Sequence, residues 1–443
     1  MSSIALLPPE LVDILVDFVE PETLPALRLT SQTLCGHATP FLFRDLDFWL
    51  EECSLKKLVN IASLPHLAKH VKHISCGMEE FYDVNFNVFK RCVYQDLRTP
   101  GAEHDESQQR ASYRVYRRYL RRQNDLTSTG AGVFMLAAAL ASFTALVSMD
   151  ITDHFCPYLE NGGKTPKLLD HEPLLNSRML TPINAVTPRG GNQLQTLLRA
   201  LVSAGTVLQS FSLELRSGNI GGSGSLLSAL DFREKKLAQA AFTTLRKFHL
   251  SLPDMESSAY ETDDELSVTS ILQASGNLNC LYLQFPHADC EDPPPGGSFR
   301  DFFGTCQFTR LQTLIIHGLI VSEGEFRGFV LQSCPELKEL RLFSARLTRG
   351  SWGSLFQSLR RLPCLDTVDL SHLRYDYVEA CFFTMLDSYQ DLGPLYDFLC
   401  GRSDIDPWPQ MVREKRDLLD EQDRLEEEED HLRYQDCTDR PPE

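Results

Sequence analysis

The sequence predicts an α/β fold: a short all-α unit, then a curved array of strand–helix repeats whose strands form one parallel sheet. Two observations carry this. Residues 7–34 show helical apolar spacing broken by Glu20-Pro21. Farther on, the pattern L-x-x-L-x-L returns at intervals of one supersecondary unit.

The N-terminal stretch is the most readable part. Leu11, Leu15, Phe18 and Val19 recur at the spacing of one helix face. Pro8 and Pro9 suit the entry to that helix, and the residue before Pro21 is steered out of helical geometry. Thr23 can cap a second helix, Pro25 is tolerated in its first turn, and Leu24, Leu27 and Leu34 form its expected apolar face. Two short helices cannot bury both faces against each other, so the unit must pack on something else.

The repeat organises the rest. Leu245-x-x-Phe248-x-Leu250, Leu278-x-x-Leu281-x-Leu283, Leu311-x-x-Leu314-x-Ile316, Leu337-x-x-Leu340-x-Leu342 and Leu365-x-x-Val368-x-Leu370 are clear. Val71-x-x-Ile74-x-Cys76, Leu146-x-x-Met149-x-Ile151 and Leu208-x-x-Phe211-x-Leu213 are weaker members. Starts at 208, 245, 278, 311, 337 and 365 are separated by 37, 33, 33, 26 and 28 residues. The shorter intervals fit a leucine-rich repeat and the longer ones that repeat with inserted loops. Helix-like runs at Glu325–Gln332 and Trp352–Leu362 lie between the last strands, so the expected unit is that of a parallel solenoid.

Around this frame we expect three regions: 1–48, 49–400 with insertions at 77–132 and 156–193, and an acidic tail, helical or disordered, at 401–443. The first insertion holds a helix, Tyr113–Gln123; the second is rich in Pro, Gly and Asn and reads as surface loop. Asp254–Glu265, Cys290–Ser298 and the Gly-rich Gly218–Ser225 also read as loops. In the tail, Met411, Leu418, Leu425 and Leu432 are spaced by seven, but Lys, Gln and Glu occupy the companion positions, which favours a solvated helix or disorder over a coiled coil.

Residues 7–46 resemble an F-box of the version common in filamentous fungi. Leu7-Pro8-Pro9-Glu10-Leu11 matches the L-P-x-E-L opening, Leu15 and Val19 the next apolar positions, Glu20-Pro21 the inter-helix turn, and Leu24 and Leu27 the second helix. Thr30-Ser31 and Leu34 stand where the family often has Val-Cys and a tryptophan, with Phe41 and Phe43 supplying aromatic bulk. The resemblance covers about a tenth of the chain. It implies a substrate-recruiting subunit of a cullin–RING (SCF-type) ubiquitin ligase. Leu7, Pro8, Leu11, Leu15, Val19, Leu24 and Leu27 would then dock on a Skp-type adaptor and, through it, a cullin scaffold.

The repeat strands supply the candidate target surface. Side chains alternate along a strand, so the residues between the leucines point away from the core. Among them His249, Tyr282, Ile315, Arg341, Phe343 and Asp369 are the candidates for holding a target protein. Tyr282, Ile315, Arg341 and Asp369 should form one stripe, one residue per successive strand. Tyr and Arg are residue types that anchor interfaces.

Composition narrows the class of function. The 443-residue chain is 42% apolar with a formal net charge of −18, which disfavours general nucleic-acid binding. Residues 413–443 hold 13 acidic against 6 basic side chains. Tyr113–Arg122 is the one dense basic, aromatic patch. It could bind RNA, or equally meet the acidic tail or an acidic partner, but an amphipathic helix with Tyr116, Tyr119 and Leu120 inward is the favoured reading. Thirteen scattered cysteines without a C-x-x-C pair, and no signal-peptide pattern, suggest a reduced cytoplasmic or nuclear protein. The uncharged stretch Thr127–Met149 reads as a buried helix followed by a strand rather than a membrane span. No catalytic motif, cofactor motif or metal set stands out; His66, His70 and His73 have ligand-like spacing without a fourth partner nearby. The sequence therefore suggests a non-enzyme. The alternative is a repeat scaffold that binds a protein or RNA outside any ligase; a hydrolase or transferase with an unrecognised site comes last.

Overall fold

The computed structural model describes residues 7–20, 23–77, 83–91, 106–152, 190–214, 239–251, 268–285, 306–375 and 393–411, with Phe299, Phe303, Arg413 and Arg424 as single positions. The chain divides into two units, residues 1–278 and 279–443. It is a mixed α/β fold built on parallel strands.

The first unit opens with α1 (Pro9–Asp17), α2 (Leu24–Arg28) and α3 (Gln32–Leu42). Pro8 is the N-cap of α1 with Pro9 in its first turn, as the two prolines suggested, and the Pro8 carbonyl accepts from the Leu11 and Val12 amides. The expected second helix is in fact two. Ser31 adopts extended geometry and accepts from the Leu34 amide at 3.1 Å, restarting the chain as α3 and moving Leu34 onto it. With the third helix the unit closes its own core from Val12, Val16, Leu24 and Ala38, lined by Val19, Leu27, Leu34, Phe41 and Leu42.

Five parallel strands follow: β1 (Asp45–Trp49), β2 (His73–Gly77), β3 (Ser148–Thr152), β4 (Ser210–Glu214) and β5 (Lys247–Ser251), each paired with the next. Strand β1 crosses the expected boundary at residue 48. It follows Phe43-x-x-Leu46-x-Phe48, the repeat pattern with an aromatic first position. Inward side chains such as Ile74, Met149, Phe211 and Phe248 are buried, and helices fill the returns: α4 (Glu52–Ala62), α5 (Pro65–Ala68), α6 (Phe86–Lys90), α7 (Glu106–Ser128), α8 (Ala131–Ser142), α9 (Gly190–Ala204) and α10 (Val268–Ala274).

The expected insertion at 77–132 therefore contains α6 and an α7 that exceeds Tyr113–Gln123 at both ends. Gly130, at φ 71°, ends the break between α7 and α8, whose axes differ by 71°. Thr127–Met149 is a helix followed by a strand, and no single described helix is long and apolar enough to cross a membrane. The expected insertion at 156–193 lies outside the described residues except where α9 begins at Gly190; Asp254–Glu265, Cys290–Ser298 and Gly218–Ser225 also lie outside them.

The second unit shows the repeat most regularly. Strands β6 (Cys280–Gln284), β7 (Thr313–His317), β9 (Glu339–Phe343) and β11 (Thr367–Ser371) are parallel and paired in that order. After β7, β9 and β11 the chain turns through a left-handed residue: Gly318 at φ 71°, Ser344 at 52° and His372 at 50°. These corners recur at the same intervals as the leucine pattern. Each hands the chain to a second parallel sheet of β8 (Ile320–Ser322), β10 (Arg346–Arg349) and β12 (Arg374–Tyr375). Leu319, Ala345 and Leu373 are buried just past the corners.

Helices α11 (Glu323–Ser333) and α12 (Trp352–Leu359) then close the repeats, near the runs anticipated for them. Ser322 and Glu325 form a capping box on α11, and the Ser351 hydroxyl accepts from the Ser354 amide at 3.1 Å on α12. After α13 (Gly393–Leu399), residues up to Met411 differ from the expected free tail. Trp408 is buried, its ring edge-on to Phe356 at 4.8 Å, and the Gln357 amide donates to Asp406 at 2.6 Å. The heptad-spaced Leu418, Leu425 and Leu432 lie outside the described residues.

Candidate functional site

Helix α1 is apolar around most of its circumference. Only Val12, Val16 and Val19 turn into the three-helix core. Leu11, Ile14, Leu15 and Phe18, at i, i+3, i+4 and i+7, form a second apolar stripe that faces out. Phe18 is 83% exposed, and Leu29 beyond α2 is 88% exposed. Leu7 and Pro8 are exposed at the helix entry.

The seven residues expected to dock an adaptor are therefore divided. Leu7, Pro8, Leu11 and Leu15 lie on the open surface, whereas Leu24 is buried and Val19 and Leu27 are packed against the core. Their contact with Val12, Val16 and Ala38 removes these three from any docking face. Ile14, Phe18 and Leu29 join the open set instead. The stripe is clamped at its back: His37 Nδ1 lies 2.7 Å from Asp13 Oδ1, and the Arg44 guanidinium is 3.9 Å from Asp17.

In the second unit the strand register assembles the predicted row. Tyr282 stands opposite Ile315, Ile315 opposite Arg341, and Arg341 opposite Asp369. All four are half-buried. One row along, His317 stands opposite Phe343. The His317 ring stacks on Phe343 at 4.3 Å and lies 5.3 Å from the Tyr282 ring, so three aromatic rings bridge three strands. The Tyr282 hydroxyl donates to Gln284 at 3.2 Å. Arg341 donates through Nε to Glu339 at 2.7 Å, and Glu339 also accepts from the Thr313 hydroxyl at 3.0 Å. These bonds fix the direction of the guanidinium and cost both side chains rotamer freedom.

His249 does not belong to this row. It lies on β5 in the first unit, in register with Ser212, Asp150, Ser75 and Asp47 on the neighbouring strands. Burial holds the His249 imidazole below its usual pKa, partly offset by Glu214, and pushes the Asp150 carboxyl above its usual value, partly offset by His73. That face is acidic and hydroxyl-bearing, unlike the aromatic face of the second unit. The Ile14 and Phe18 signal was available in the sequence as two further apolar positions on α1. His317 carried no signal beyond its place between leucines.

No protein-family model matches the chain, and no curated protein matches it.

Proposed function

We propose that this chain is the substrate-recruiting subunit of a cullin–RING ubiquitin ligase, with an F-box at its N-terminus and a leucine-rich-repeat domain behind it. The observation that carries the reading is the open apolar stripe of α1. A three-helix unit that already buries its own core keeps Leu11, Ile14, Leu15 and Phe18 in water, together with Leu7 and Leu29. A contiguous apolar patch of this kind marks a partner site. Its place within the residues that resemble an F-box makes a Skp-type adaptor the partner. The aromatic and arginine row of the second unit then grips the target. The mechanism is proximity: tethering raises the local concentration of target at the bound conjugating enzyme, with no chemistry by this chain.

Co-purification from cells tests the assignment. Leu11→Asp with Leu15→Asp places two carboxylates in the desolvated contact, at a cost of several kcal/mol if they stay unpaired. Both positions face solvent, so the variant keeps its fold and its circular dichroism spectrum and loses the adaptor. A folded double variant that recovers the adaptor at the wild-type level refutes the reading.

A further inference from the structure

Helix α7 runs against the charge of the chain. It carries six arginines against Glu106 and Asp125 within 23 residues, in a protein of net charge −18. Its inner face is committed to packing: Tyr116 and Leu120 are buried, and the Tyr113 hydroxyl donates to the Val84 carbonyl at 2.8 Å. Three of the arginines are matched to nearby acids. Arg110 meets Glu106 at 2.7 Å, Arg117 pairs with Asp83, and Arg122 lies 3.6 Å from Glu52.

Arg114, Arg118 and Arg121 are different. All three are exposed, and among the described residues none has an ion pair or hydrogen bond. They fall at i, i+4 and i+7, on one stripe, about 6 and 4.5 Å apart along the axis at 1.5 Å rise per residue. Like charges at this spacing repel one another and weaken the helix. On a helix whose other arginines are paired, a row of carboxylates on a facing segment would offset that cost.

We propose that the Arg114–Arg118–Arg121 stripe docks an acidic helical segment of a partner protein, whose glutamates or aspartates at the same pitch each meet one guanidinium. The arginines are strung along the axis rather than gathered about one point, which fits a row of carboxylates better than a single phosphate group. RNA fits less well. Tyr113, Tyr116 and Tyr119, the rings that would stack on bases, are buried or half-buried against the protein, and the overall negative field repels a phosphate backbone. The docking is separate from the adaptor reading and stands or falls without it.

Fluorescence anisotropy on the full chain at low salt tests this. The probe is a labelled alanine-based helical peptide with glutamates at i, i+4 and i+7, beside the same peptide with glutamines, a peptide carrying one phosphoserine, and an oligoadenylate RNA. The expected result is saturable binding of the glutamate peptide that falls as salt rises. Arg114→Gln, Arg118→Gln and Arg121→Gln together should weaken it about tenfold, the sum of three exposed pairs. Arg118→Glu alone, with the wild-type melting temperature, gives a smaller loss and guards against misfolding of the triple variant. Equal binding of the glutamate and glutamine peptides overturns the proposal. So does unchanged affinity in the folded variants, tighter binding of the phosphopeptide or the RNA, or binding that appears only after residues 413–443 are deleted, which would make the chain's own acidic tail the occupant.

Discussion

Asp150, on the polar face of the first unit, is a side chain whose charged form burial disfavours. It stands between Ser75 and Ser212 in the strand row, and burial raises its pKa above the usual 3.8. A raised carboxyl pKa means the fold prefers the protonated form. Its contribution to stability is full below 3.8 and is lost as pH rises through the folded value. At neutral pH the carboxylate is thus a net cost. Asp150→Asn, close in shape but uncharged, should raise the melting temperature at pH 7 by about one or two degrees and leave it unchanged near pH 3. Thermal melts of the pair at the two pH values check this; equal shifts at both would assign the effect to packing instead.

On the proposed target surface, Tyr282 and Arg341 would serve binding more than stability. Each is half-buried and hydrogen-bonded by a neighbour on its own strand. Tyr282→Ala with Arg341→Ala should cost clearly less stability than Leu342→Ala, which opens a cavity worth roughly 2–5 kcal/mol. The double variant should nevertheless lose stabilised interactors captured under proteasome block, because truncated anchors of this kind typically cost about 2 kcal/mol or more in binding. Paired melting and mass-spectrometric comparison checks both halves.

At the scale of elements, the loop into α12 has one residue type available at its corner. Gly350 has φ 98°, and a Cβ there would run into the Glu323 side chain. That Glu323 carboxylate accepts from the Ser351 amide at 2.9 Å and the Ser354 hydroxyl at 2.6 Å, so it cannot yield without losing both bonds. Gly350→Ala should cost about 2 kcal/mol or more, combining the left-handed strain with the loss of the Glu323 hydrogen bonds. Gly324→Ala, whose Cβ meets nothing within 4 Å, is the matched control. Chemical denaturation of the two variants separates the cases.

The same scale shows what the sequence made legible. Strand positions were readable because Leu, Ile and Phe at i, i+3 and i+5 must be buried, and a period of two leaves the residues between them on the other face. The row Tyr282–Ile315–Arg341–Asp369 follows from that rule once the strands align in register. The inner face of α1 was not readable. With Leu11, Val12, Ile14, Leu15, Val16, Phe18 and Val19 all apolar, helical spacing alone does not say which side is inward. The break at Thr30-Ser31 was missed because Leu24, Leu27 and Leu34 keep a helical phase across it. The second sheet was missed because strands of two to four residues are too short for a period to show.

For the whole molecule, the end of the packed chain lies beyond residue 400. Trp408 fills the space left by Gly353, where an added Cβ would come within 2.8 Å of its ring. Trp408→Ala should therefore destabilise by about 3–5 kcal/mol. Deleting Arg413–Glu443, rich in charge and poor in apolar residues, should move the melting temperature by no more than about a degree or two. A drop near ten degrees on that deletion would show that the tail is part of the fold.

The adaptor claim is tested most directly by titrating the purified full-length chain with a purified Skp-type adaptor in a calorimeter. Saturable one-to-one binding with a negative heat-capacity change, the mark of apolar burial, is expected. Phe18→Asp, at a position 83% exposed, should abolish the binding without lowering the melting temperature. No heat of binding at either of two well-separated temperatures with tens of micromolar adaptor, or a folded Phe18→Asp variant that binds like the wild type, would overturn the adaptor assignment.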